Sequence, residues 1–441
     1  MLWAEVCDYI KMLQTAFIRE NRELTIAGLQ KRHFKDAEEA VDLVIALDKQ
    51  RRELQQELDD VLAASNAKAK EIGGLMKSGQ QELANAAKAE TAVLKERSKE
   101  LDEQHKVADA TLHEALVKLP NLPHEIVPEG KTAEDNVTVF EAGEKPTLHA
   151  GALPHWELIK KLGQNHAPMI DFELGNKITG AGFPVYKGKA ARLQRAMISF
   201  FLNEAGNAGY TEVQPPILVN EDSGFGTGQL PDKEGQMYHT AADDLYLIPT
   251  AEVPLTNLYR DVIVQESELP VKITGHTPCF RREAGSWGAH VRGLNRLHQF
   301  DKVEIVQICK PEDSYQALDE MVEHVKGLLD KLELPYRILR LSAGDMGFTS
   351  AITYDFEVWS AGQERWLECS SVSNFETYQA NRLKLRYKNQ DKKTHILHTL
   401  NGSALALPRI VATLLENNQQ ADGTVKVPAV LVPYCGFEVI E

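Results

Sequence analysis

The sequence predicts an α+β protein in which a domain built on an antiparallel β-sheet follows an N-terminal antiparallel hairpin of two coiled-coil helices. The segment 36–119 is rich in Ala, Glu, Lys, Leu and Gln and contains no proline, a composition that favours long helices. Proline and glycine interrupt the segment 120–154 repeatedly, which marks a connector between domains. Beyond it, stretches of period-two character occur without a regular strand–helix–strand alternation, and this favours an antiparallel sheet.

These observations predict an N-terminal domain over 1–119 with a helical arm over about 36–119, a connector over 120–154 and a sheet domain over 155–441. In the sheet domain, the periodicity predicts helices over 190–206, 313–331 and 403–417. It predicts strands over 213–219, 271–282, 298–308, 353–359 and 366–374.

In the hairpin, apolar or small residues recur at spacings of three and four, which is the pattern of a coiled-coil seam. The seam comprises Val44, Leu47, Leu54, Leu58, Val61, Ser65, Leu94, Ser98, Leu101, His105, Ala108, Leu112, Ala115 and Leu119. Gly73, Gly74 and Gly79 interrupt it once, so we expect the chain to reverse there between two helices. Each helix is expected to have roughly 30–35 residues and a length of about 50 Å.

The predicted arm has two interpretations. It is either a solvated dimerisation or spacer coil, or an arm whose cations contact the phosphates of a long ligand. The cations of the arm include Lys49, Arg51, Arg52, Lys68, Lys70, Lys77, Lys88, Lys95, Arg97 and Lys99. Because Glu and Asp are interleaved with these cations throughout, the charge pattern alone does not decide between the two.

The composition is that of a globular protein, since 43% of the 441 residues are hydrophobic and 26% are charged. No stretch approaches the ~18 consecutive apolar residues of a membrane span, so we expect no membrane association. The 49 Lys and Arg residues against 64 Asp and Glu residues give a net charge of −15. This charge excludes generic wrapping of nucleic acid, and any such contact must come from local basic patches.

The five cysteines lie far apart and form no Cys-x-x-Cys pair; they are Cys7, Cys279, Cys309, Cys369 and Cys435. This excludes a disulfide scaffold and a zinc ribbon and predicts a reducing, cytoplasmic location without zinc. Residues 1–11 lack the basic start and long apolar run of a secretory signal. Because Met12 could itself begin a chain, the sequence leaves open whether residues 1–11 are an extension or a start-site artefact.

The residues that indicate chemistry lie in the second and third predicted strands. Loop-type nucleotide motifs are missing from the sequence, so a bound nucleotide must be held by side chains on the sheet. Strand alternation places Arg281 and Glu283 on one face. There the arginine can bind phosphate oxygens, and the carboxylate can accept a hydrogen bond from an exocyclic amine. A cross-strand salt bridge is the other interpretation of this pair. Glu304 is predicted to lie among apolar neighbours, which is costly unless a ligand or a cation satisfies it.

These strands resemble the second motif of class II aminoacyl-tRNA synthetases in their seryl form. The match consists of Phe280-Arg281-x-Glu283, a loop, and His298-Gln299-Phe300-x-Lys302-Val303-Glu304. Thr250-Ala251-Glu252 resembles the Thr-x-Glu loop of the seryl enzymes, and Glu368-Cys369-Ser370-Ser371 resembles their Glu-x-Ser-Ser strand. The stretch 401–409, which ends in Pro408-Arg409, resembles the third motif.

The resemblance extends, in order, over nearly the whole chain after Met12, and it is closest to the bacterial type of the seryl family. The region 180–219 resembles the first, dimer-forming motif, and the hairpin resembles the family's tRNA-binding arm. The resemblance therefore implies a class II catalytic domain that uses ATP and Mg²⁺, with a homodimer as the assembly.

The resemblance assigns Arg281, Arg409 and Glu368 as catalytic residues. It implies that Arg281 holds the α-phosphate of ATP, Glu283 holds the adenine amino group, and Phe300 stacks under adenine. Arg409 is expected to lie over the ring and to reach the γ-phosphate, while Leu297 frames the nucleotide. The nucleotide site is completed by Arg282, Cys369 and Ser370. Mg²⁺ is expected on Glu368 and Ser371; because simple alternation pairs Glu368 with Ser370 instead, a β-bulge is predicted between them.

For the amino acid, the resemblance implies that Thr250 and Glu252, with Ala251 between them, bind the ammonium group of serine. Glu304 and Ser403 are expected to receive its hydroxyl group. Taken alone, Thr250-Ala251-Glu252 also suits a helix start, and Ser403 could merely open the last helix. Cys369 is expected to be a small buried residue rather than a nucleophile, because no histidine lies near it in sequence.

The expected activity is formation of seryl-adenylate and transfer of serine to the 3′-terminal adenosine of tRNA(Ser). The sequence leaves open whether tRNA(Sec) is also charged. Two alternatives remain, namely a paralogue that charges a carrier protein and a non-catalytic RNA-binding or coiled-coil scaffold. The full-length hairpin argues against the first alternative, and the complete set of ligand residues argues against the second.

Overall fold

The computed structural model describes residues 13–163, 167–232, 235–283 and 291–441. Residues 1–11, whose origin the sequence leaves open, lie outside the described residues. The loop 284–290 of the second motif also lies outside them. The described chain divides into two compact units, Leu13–Leu122 and Pro123–Glu441. Among the described helices, none has the length and apolar character needed to cross a bilayer.

The first unit is entirely helical. Its helices are α1 Thr15–Glu20, α2 Arg22–Lys31, α3 Ala37–Lys77 and α4 Gln81–Leu116. Helices α3 and α4 pack along each other, which confirms the predicted hairpin. The buried side chains of this pair include Val41, Val44 and Leu58 from α3 and Leu101, Ala108 and Leu112 from α4.

The predicted break at Gly73 and Gly74 is wrong, because α3 continues through both glycines and has 41 residues rather than about 35. A Cβ atom added at either glycine would meet nothing within 4 Å, so packing does not require glycine there. The reversal lies at 78–80, where Gly79 adopts a φ of +73°. An interior glycine costs a helix only about 1 kcal/mol relative to alanine, which a long paired helix tolerates.

The second unit is built on an eight-stranded sheet. Its strands are β1 Val137–Ala142, β4 Thr211–Glu212, β9 Val271–Phe280, β10 Gln299–Cys309, β11 Tyr336–Arg340, β12 Ile352–Ser360, β13 Arg365–Glu376 and β16 His398–Ala406. They are arranged in the order β1-β11-β12-β13-β16-β10-β9-β4. All neighbours are antiparallel except β4 and β9, which confirms the predicted antiparallel sheet.

Smaller sheets and helices surround this sheet. The smaller strands are β2 Ile170–Asp171, β3 Val185–Tyr186, β5 Leu218–Val219, β6 Tyr238–Thr240, β7 Leu245–Leu247, β8 Ile263–Gln265, β14 Arg386–Lys388, β15 Thr394–Ile396, β17 Val425–Lys426 and β18 Val439–Ile440. The helices are α5 His155–Lys161, α6 Phe172–Ile178, α7 Gly188–Asn207, α8 Glu221–Thr227, α9 Glu252–Asn257, α10 Ser314–Lys331, α11 Thr377–Arg382, α12 Leu407–Asn417 and α13 Val432–Cys435.

The two faces of the sheet have different roles. Val303 and Ile305 of β10 join the main core, to which α7, α10 and α12 also contribute. Val306 and Ile308 join a second, smaller core with residues of α9 and α11. Because strand side chains alternate between faces, Lys302 and Glu304 belong to the face of the smaller core.

Two of the predicted elements are wrong. Of the strand predicted over 213–219, only β5 at Leu218–Val219 is a strand, because Pro215 and Pro216 precede it and proline cannot donate to a sheet ladder. The helix predicted over 403–417 begins at Leu407, and residues 403–406 belong to β16. Pro408 is in the first turn of α12, where its missing N–H costs no hydrogen bond. Ser403 therefore does not open the helix.

Candidate active site

The centre of the candidate site is Glu304 on β10. Antiparallel pairing places Glu304 opposite Gly275 on β9 and opposite Ser403 on β16, so the side chains of Glu304 and Ser403 lie side by side on one face. A Cβ atom at Gly275 would come within 2.6 Å of the Val213 carbonyl oxygen, which explains the glycine beside Glu304. Glu304 is 2% exposed.

A lysine satisfies the buried charge of Glu304. The Lys302 Nζ atom lies 2.6 Å from Glu304 Oε2 and donates to the Thr250 hydroxyl at 2.8 Å, while that hydroxyl lies 3.3 Å from Glu304 Oε2. Burial raises the pKa of Glu304, and the positive charges of Lys302 and Arg281 partly offset this rise. The sequence prediction required a ligand or a cation here, and Lys302, two residues away on the same face, is the cation.

Glu252 lies close to Glu304 and is held by a glutamine that the sequence prediction missed. The Gln379 amide on α11 donates to Glu252 Oε1 at 2.6 Å, and Thr399 Oγ1 donates to the Gln379 oxygen at 2.8 Å. Burial and the nearby charge of Glu304 raise the pKa of Glu252 to about 7. No sequence pattern links Gln379 to Glu252, because they are far apart in the chain.

The helix-start interpretation of Thr250-Ala251-Glu252 is confirmed, and the role in binding serine stays a prediction. The stretch begins a helix, since α9 starts at Glu252 and the Thr250 hydroxyl accepts the Glu252 N–H at 3.2 Å. The same hydroxyl also contacts Lys302 and Glu304, so one side chain joins the start of α9 to this ion pair. Ala251 is fully buried.

Arg281 borders this pocket. Its Nε atom donates to the Pro249 carbonyl oxygen at 3.2 Å, and its guanidinium lies 5.2 Å from the ring centre of Phe300. Glu283 forms an ion pair with Arg296, in line with the salt-bridge interpretation of this carboxylate. Arg282 is exposed, and its N–H donates to the Gln236 carbonyl oxygen at 2.8 Å.

The β-bulge predicted in β13 is present. Ser370 pairs with Phe356 and Glu368 pairs with Glu357 on β12, so Cys369 is the extra residue. The bulge separates Glu368 and Ser371, which face outward, from Cys369, which is 2% exposed and belongs to the main core. Burial raises the pKa of the Cys369 thiol, so it is not a nucleophile at neutral pH.

Two predicted nucleotide residues present no free side chain to a ligand. Leu297 is 4% exposed and packs, like Cys369, in the main core. Ser370 is buried, and its hydroxyl donates to the Ser403 carbonyl oxygen at 2.6 Å. This last contact joins the Glu-x-Ser-Ser strand to the strand that carries Ser403.

Asp355 on β12 is a further carboxylate that the sequence prediction missed. It pairs with Ser371 across the two strands, and its Oδ1 atom is buried without a hydrogen-bond partner. Burial and the charge of Glu368 raise its pKa well above the usual value, and the Ser371 hydroxyl offsets part of this rise. Alternation within 353–359 could place Asp355 on this face, but only the register brings it to Ser371.

Arg409 on α12 completes the site from the helix side. Its Nη1 atom donates to the Glu368 carbonyl oxygen at 2.6 Å and lies 3.6 Å from the Glu368 carboxylate. Its Nε atom donates to the Asn295 carbonyl oxygen at 3.1 Å. The structure thus gathers the predicted residues into two neighbouring groups, a buried carboxylate pocket bordered by Arg281 and an outward-facing group around Glu368 and Arg409.

Two parts of this chain match domains of known protein families. Residues 12–123 match the seryl-tRNA synthetase N-terminal domain. Residues 237–418 match the tRNA synthetase class II core domain (G, H, P, S and T). The first match covers the helical hairpin and the second covers all the strands of the candidate site.

Full-length relatives agree with these matches. A serine–tRNA ligase of Salinibacter ruber is 50% identical over 398 residues, which cover 90% of this chain and 92% of the relative. A serine–tRNA ligase of Akkermansia muciniphila is 47% identical over 97% of this chain and 99% of the relative. The crystal structure of seryl-tRNA synthetase from Pyrococcus horikoshii complexed with ATP has a TM-score of 0.88 and 33% identity over 97% of this chain and 99% of that chain. With the hairpin, the sheet and the motifs all in agreement, the chain belongs to the seryl-tRNA synthetase family, the serine–tRNA ligases.

Proposed function

We propose that this chain activates L-serine with ATP, releasing pyrophosphate, and transfers serine from seryl-adenylate to the 3′-terminal adenosine of tRNA(Ser). The observation that supports this proposal most strongly is a buried pair of neighbouring carboxylates, Glu252 and Glu304, close to the guanidinium of Arg281. Such a pair suits a small cationic and hydroxylated substrate beside a phosphate.

The pocket suits serine in particular. The ammonium group of serine binds Glu252 and the Thr250 hydroxyl, and the hydroxyl group of serine binds Glu304 and Ser403. Lys302 occupies Oε2 of Glu304, which leaves Oε1 for the substrate. Alanine is rejected because it leaves this buried carboxylate oxygen without a partner.

The nucleotide lies over the neighbouring strands. Arg281 binds the α-phosphate, Phe300 stacks under adenine, and Arg409 covers the ring and reaches the γ-phosphate. Glu283 accepts a hydrogen bond from the adenine amino group. To do so, it gives up its ion pair with Arg296. Because their side chains are packed in the core, Leu297 and Cys369 contribute only shape and main-chain atoms, and Arg282 lies at the exposed rim.

The chemical step is an in-line attack of the serine carboxylate on the α-phosphorus, which breaks the bond to pyrophosphate. No side chain of the protein forms a covalent bond with the substrate. The chain contributes by holding the carboxylate and the phosphate in line and by placing the guanidinium of Arg281 at the developing charge. Thr250 and Glu252 fix the amino group, so that the carboxylate faces the phosphate.

The donors around Glu368 fit a hard cation such as Mg²⁺. The Glu368 carboxylate and the Ser371 hydroxyl face outward together, and the unpartnered Oδ1 of Asp355 lies beside them. Mg²⁺ bridges phosphate oxygens and needs only one or two carboxylates from the protein. In keeping with this, the described residues hold no group of three His, Cys, Asp or Glu side chains arranged for a metal ion. Glu368, Ser371 and Asp355 would hold Mg²⁺, which would supply positive charge to neutralise the phosphates.

Replacing Asp355 by asparagine is expected to raise the Mg²⁺ concentration for half-maximal activity by about tenfold, since residues supporting a metal site typically change metal affinity by 10–100-fold. The measurement is a Mg²⁺ titration of serine-dependent ATP–pyrophosphate exchange. Glu364→Gln is the matched control, because Glu364 is exposed in the turn between β12 and β13 and is not a proposed Mg²⁺ ligand. An equal Mg²⁺ requirement in the wild type and Asp355→Asn would contradict the assignment.

The helical hairpin is proposed to bind the long variable arm of tRNA(Ser). Three of its cations join the helices, since Lys68 lies 2.8 Å from Glu90, Arg97 lies 2.6 Å from Glu57 and Arg51 lies 4.0 Å from Asp109. The remaining cations are therefore the better candidates for phosphate contacts. We further propose a homodimer formed through the region 180–219, a cytoplasmic location where charged tRNA is used, and activity on tRNA(Sec) where a host has it.

One assay tests the proposed function against its alternatives. The purified protein is expected to catalyse serine-dependent ATP–pyrophosphate exchange and then to charge tRNA(Ser). Exchange without charging would support a carrier-protein enzyme, and absence of both would support a scaffold. The agreement of the full-length relatives disfavours both alternatives.

A further inference from the structure

A buried histidine–glutamate pair lies behind Arg409, outside the proposed ligand contacts. His155, the first residue of α5, and Glu416, near the end of α12, are both fully buried. The His155 Nδ1 atom lies 2.7 Å from Glu416 Oε1, and its Nε2 atom accepts the Leu294 N–H at 2.8 Å. Because Nε2 accepts a hydrogen bond, the proton of the neutral ring is on Nδ1, which donates to Glu416.

The Glu416 carboxylate is held from several directions. It accepts the His155 N–H at 2.8 Å and the Gln363 amide at 3.0 Å, and the Ser360 hydroxyl also donates to it. A buried carboxylate with this many donors is fixed in one position. Glu416 therefore provides a rigid anchor for the imidazole.

The imidazole in turn holds the loop before β10. This loop contains the short 3₁₀ helix Gly293–Asn295, which contacts His155 through Leu294. A Cβ atom at Gly293, where φ is +68°, would lie only 2.2 Å from His155 Nε2, so glycine is required for the close approach of the ring. The Asn295 side chain also donates to Gln363 at 2.9 Å. The loop is thus attached to the same anchor through both its main chain and a side chain.

The loop is also the support of Arg409. The Asn295 carbonyl oxygen accepts the Arg409 Nε hydrogen at 3.1 Å. Arg409 and Glu416 are seven residues apart on α12, about two turns, so they lie on the same face of the helix. One end of this face holds the loop through Arg409, and the other end holds it through Glu416 and His155.

We propose that His155 and Glu416 are positioning residues, which fix the loop 293–295 and thereby orient the guanidinium of Arg409 toward ATP. With Nε bound to Asn295 and Nη1 bound to Glu368, the remaining donors of Arg409 can point in only one direction. A displaced loop removes the Nε acceptor and lets the guanidinium turn away. This proposal rests on the role proposed above for Arg409.

The test uses two substitutions of His155 that separate its two ring nitrogens. In His155→Asn the amide can replace Nδ1 toward Glu416 but does not reach Leu294, whereas in His155→Gln the longer side chain can accept the Leu294 N–H. We expect His155→Asn to lower kcat/KM for ATP at least tenfold in ATP–pyrophosphate exchange, with KM for serine changed less than twofold. In His155→Gln, kcat/KM for ATP is expected to stay within threefold of the wild-type value. His324→Asn, the same substitution on α10 away from the site, controls for loss of a histidine.

A double-mutant cycle distinguishes positioning through Arg409 from simple stabilisation. If His155 acts through Arg409, His155→Asn has no further effect on ATP use in an Arg409→Ala background. Additive losses in the cycle, or a folded His155→Asn enzyme with wild-type ATP parameters, would overturn the proposal. If His155→Asn does not fold, Gln363→Ala is the substitute, because Gln363 is half-buried and its amide also holds Glu416. This variant is expected to show a smaller loss in kcat/KM for ATP. A wild type without exchange activity, or Arg409→Ala with unchanged ATP use, would instead refute the proposed function.

Discussion

Replacing Arg281 by alanine is expected to reduce serine-dependent ATP–pyrophosphate exchange by about 10³-fold, the upper part of the range for removing one preorganised donor at a developing charge. The guanidinium is held by the Pro249 carbonyl oxygen at 3.2 Å and by the Phe300 ring, so it is preorganised beside the pocket. The loss is expected in kcat and in kcat/KM for ATP. The measurement is exchange over a range of ATP concentrations at saturating serine.

Arg281→Lys is the matched comparison for this result. Lysine keeps the positive charge but not the planar fork of donors that matches phosphate oxygens, so an intermediate loss is expected. The positive charge of Arg281 also helps to lower the pKa of Glu304, so a small effect on serine use is expected in Arg281→Ala but not in Arg281→Lys, which keeps the charge. A loss confined to serine use would show that Arg281 serves the amino acid rather than the phosphate.

Replacing Glu304 by alanine is expected to lower kcat/KM for serine by 10²-fold or more, while ATP binding changes less than threefold. The carboxylate is the acceptor for the serine hydroxyl, and sites that hydrogen-bond a substrate hydroxyl discriminate by large factors. The measurement compares exchange kinetics for serine with direct ATP binding. Equal losses for serine and for ATP would refute the role assigned to Glu304.

The interpretation of this variant depends on Lys302. Removing Glu304 leaves the buried Lys302 ammonium without its partner at 2.6 Å, and an unpaired buried charge costs about 3–5 kcal/mol of stability. The double variant Lys302→Met/Glu304→Gln removes this penalty while it keeps the volume of the pocket. It is expected to regain thermal stability relative to Glu304→Ala but not serine use, which separates stability from recognition.

Local patterns predicted much of this molecule. Periodicity predicted the helical hairpin and the long strands β9, β10, β12 and β13, and the motifs placed the site on these strands. The mismatch between alternation and the Glu-x-Ser-Ser pattern predicted a bulge, which the structure confirms at Cys369. These successes share a cause, because strand and helix periods are properties of neighbouring residues.

The wrong predictions share a cause as well. Gly73 and Gly74 have a poor local propensity for helices, yet α3, which packs along α4, continues through both. Ser403 has the character of a helix opener, yet pairing with Glu304 on β10 places it in a strand. In each case a contact with a distant segment outweighs a local preference of about 1 kcal/mol.

The sequence by itself determined the class of fold and the order of the motifs, and it predicted most of the charged residues that are proposed for the chemistry. Only the tertiary structure decided which partner each charge has: Lys302 beside Glu304, Gln379 beside Glu252, and Asp355 beside Ser371. It also decided that His155 and Glu416 meet behind Arg409, although 261 positions separate them. The physical reason is that periodicity fixes the face on which a side chain lies, whereas sheet register and long-range packing fix what it touches.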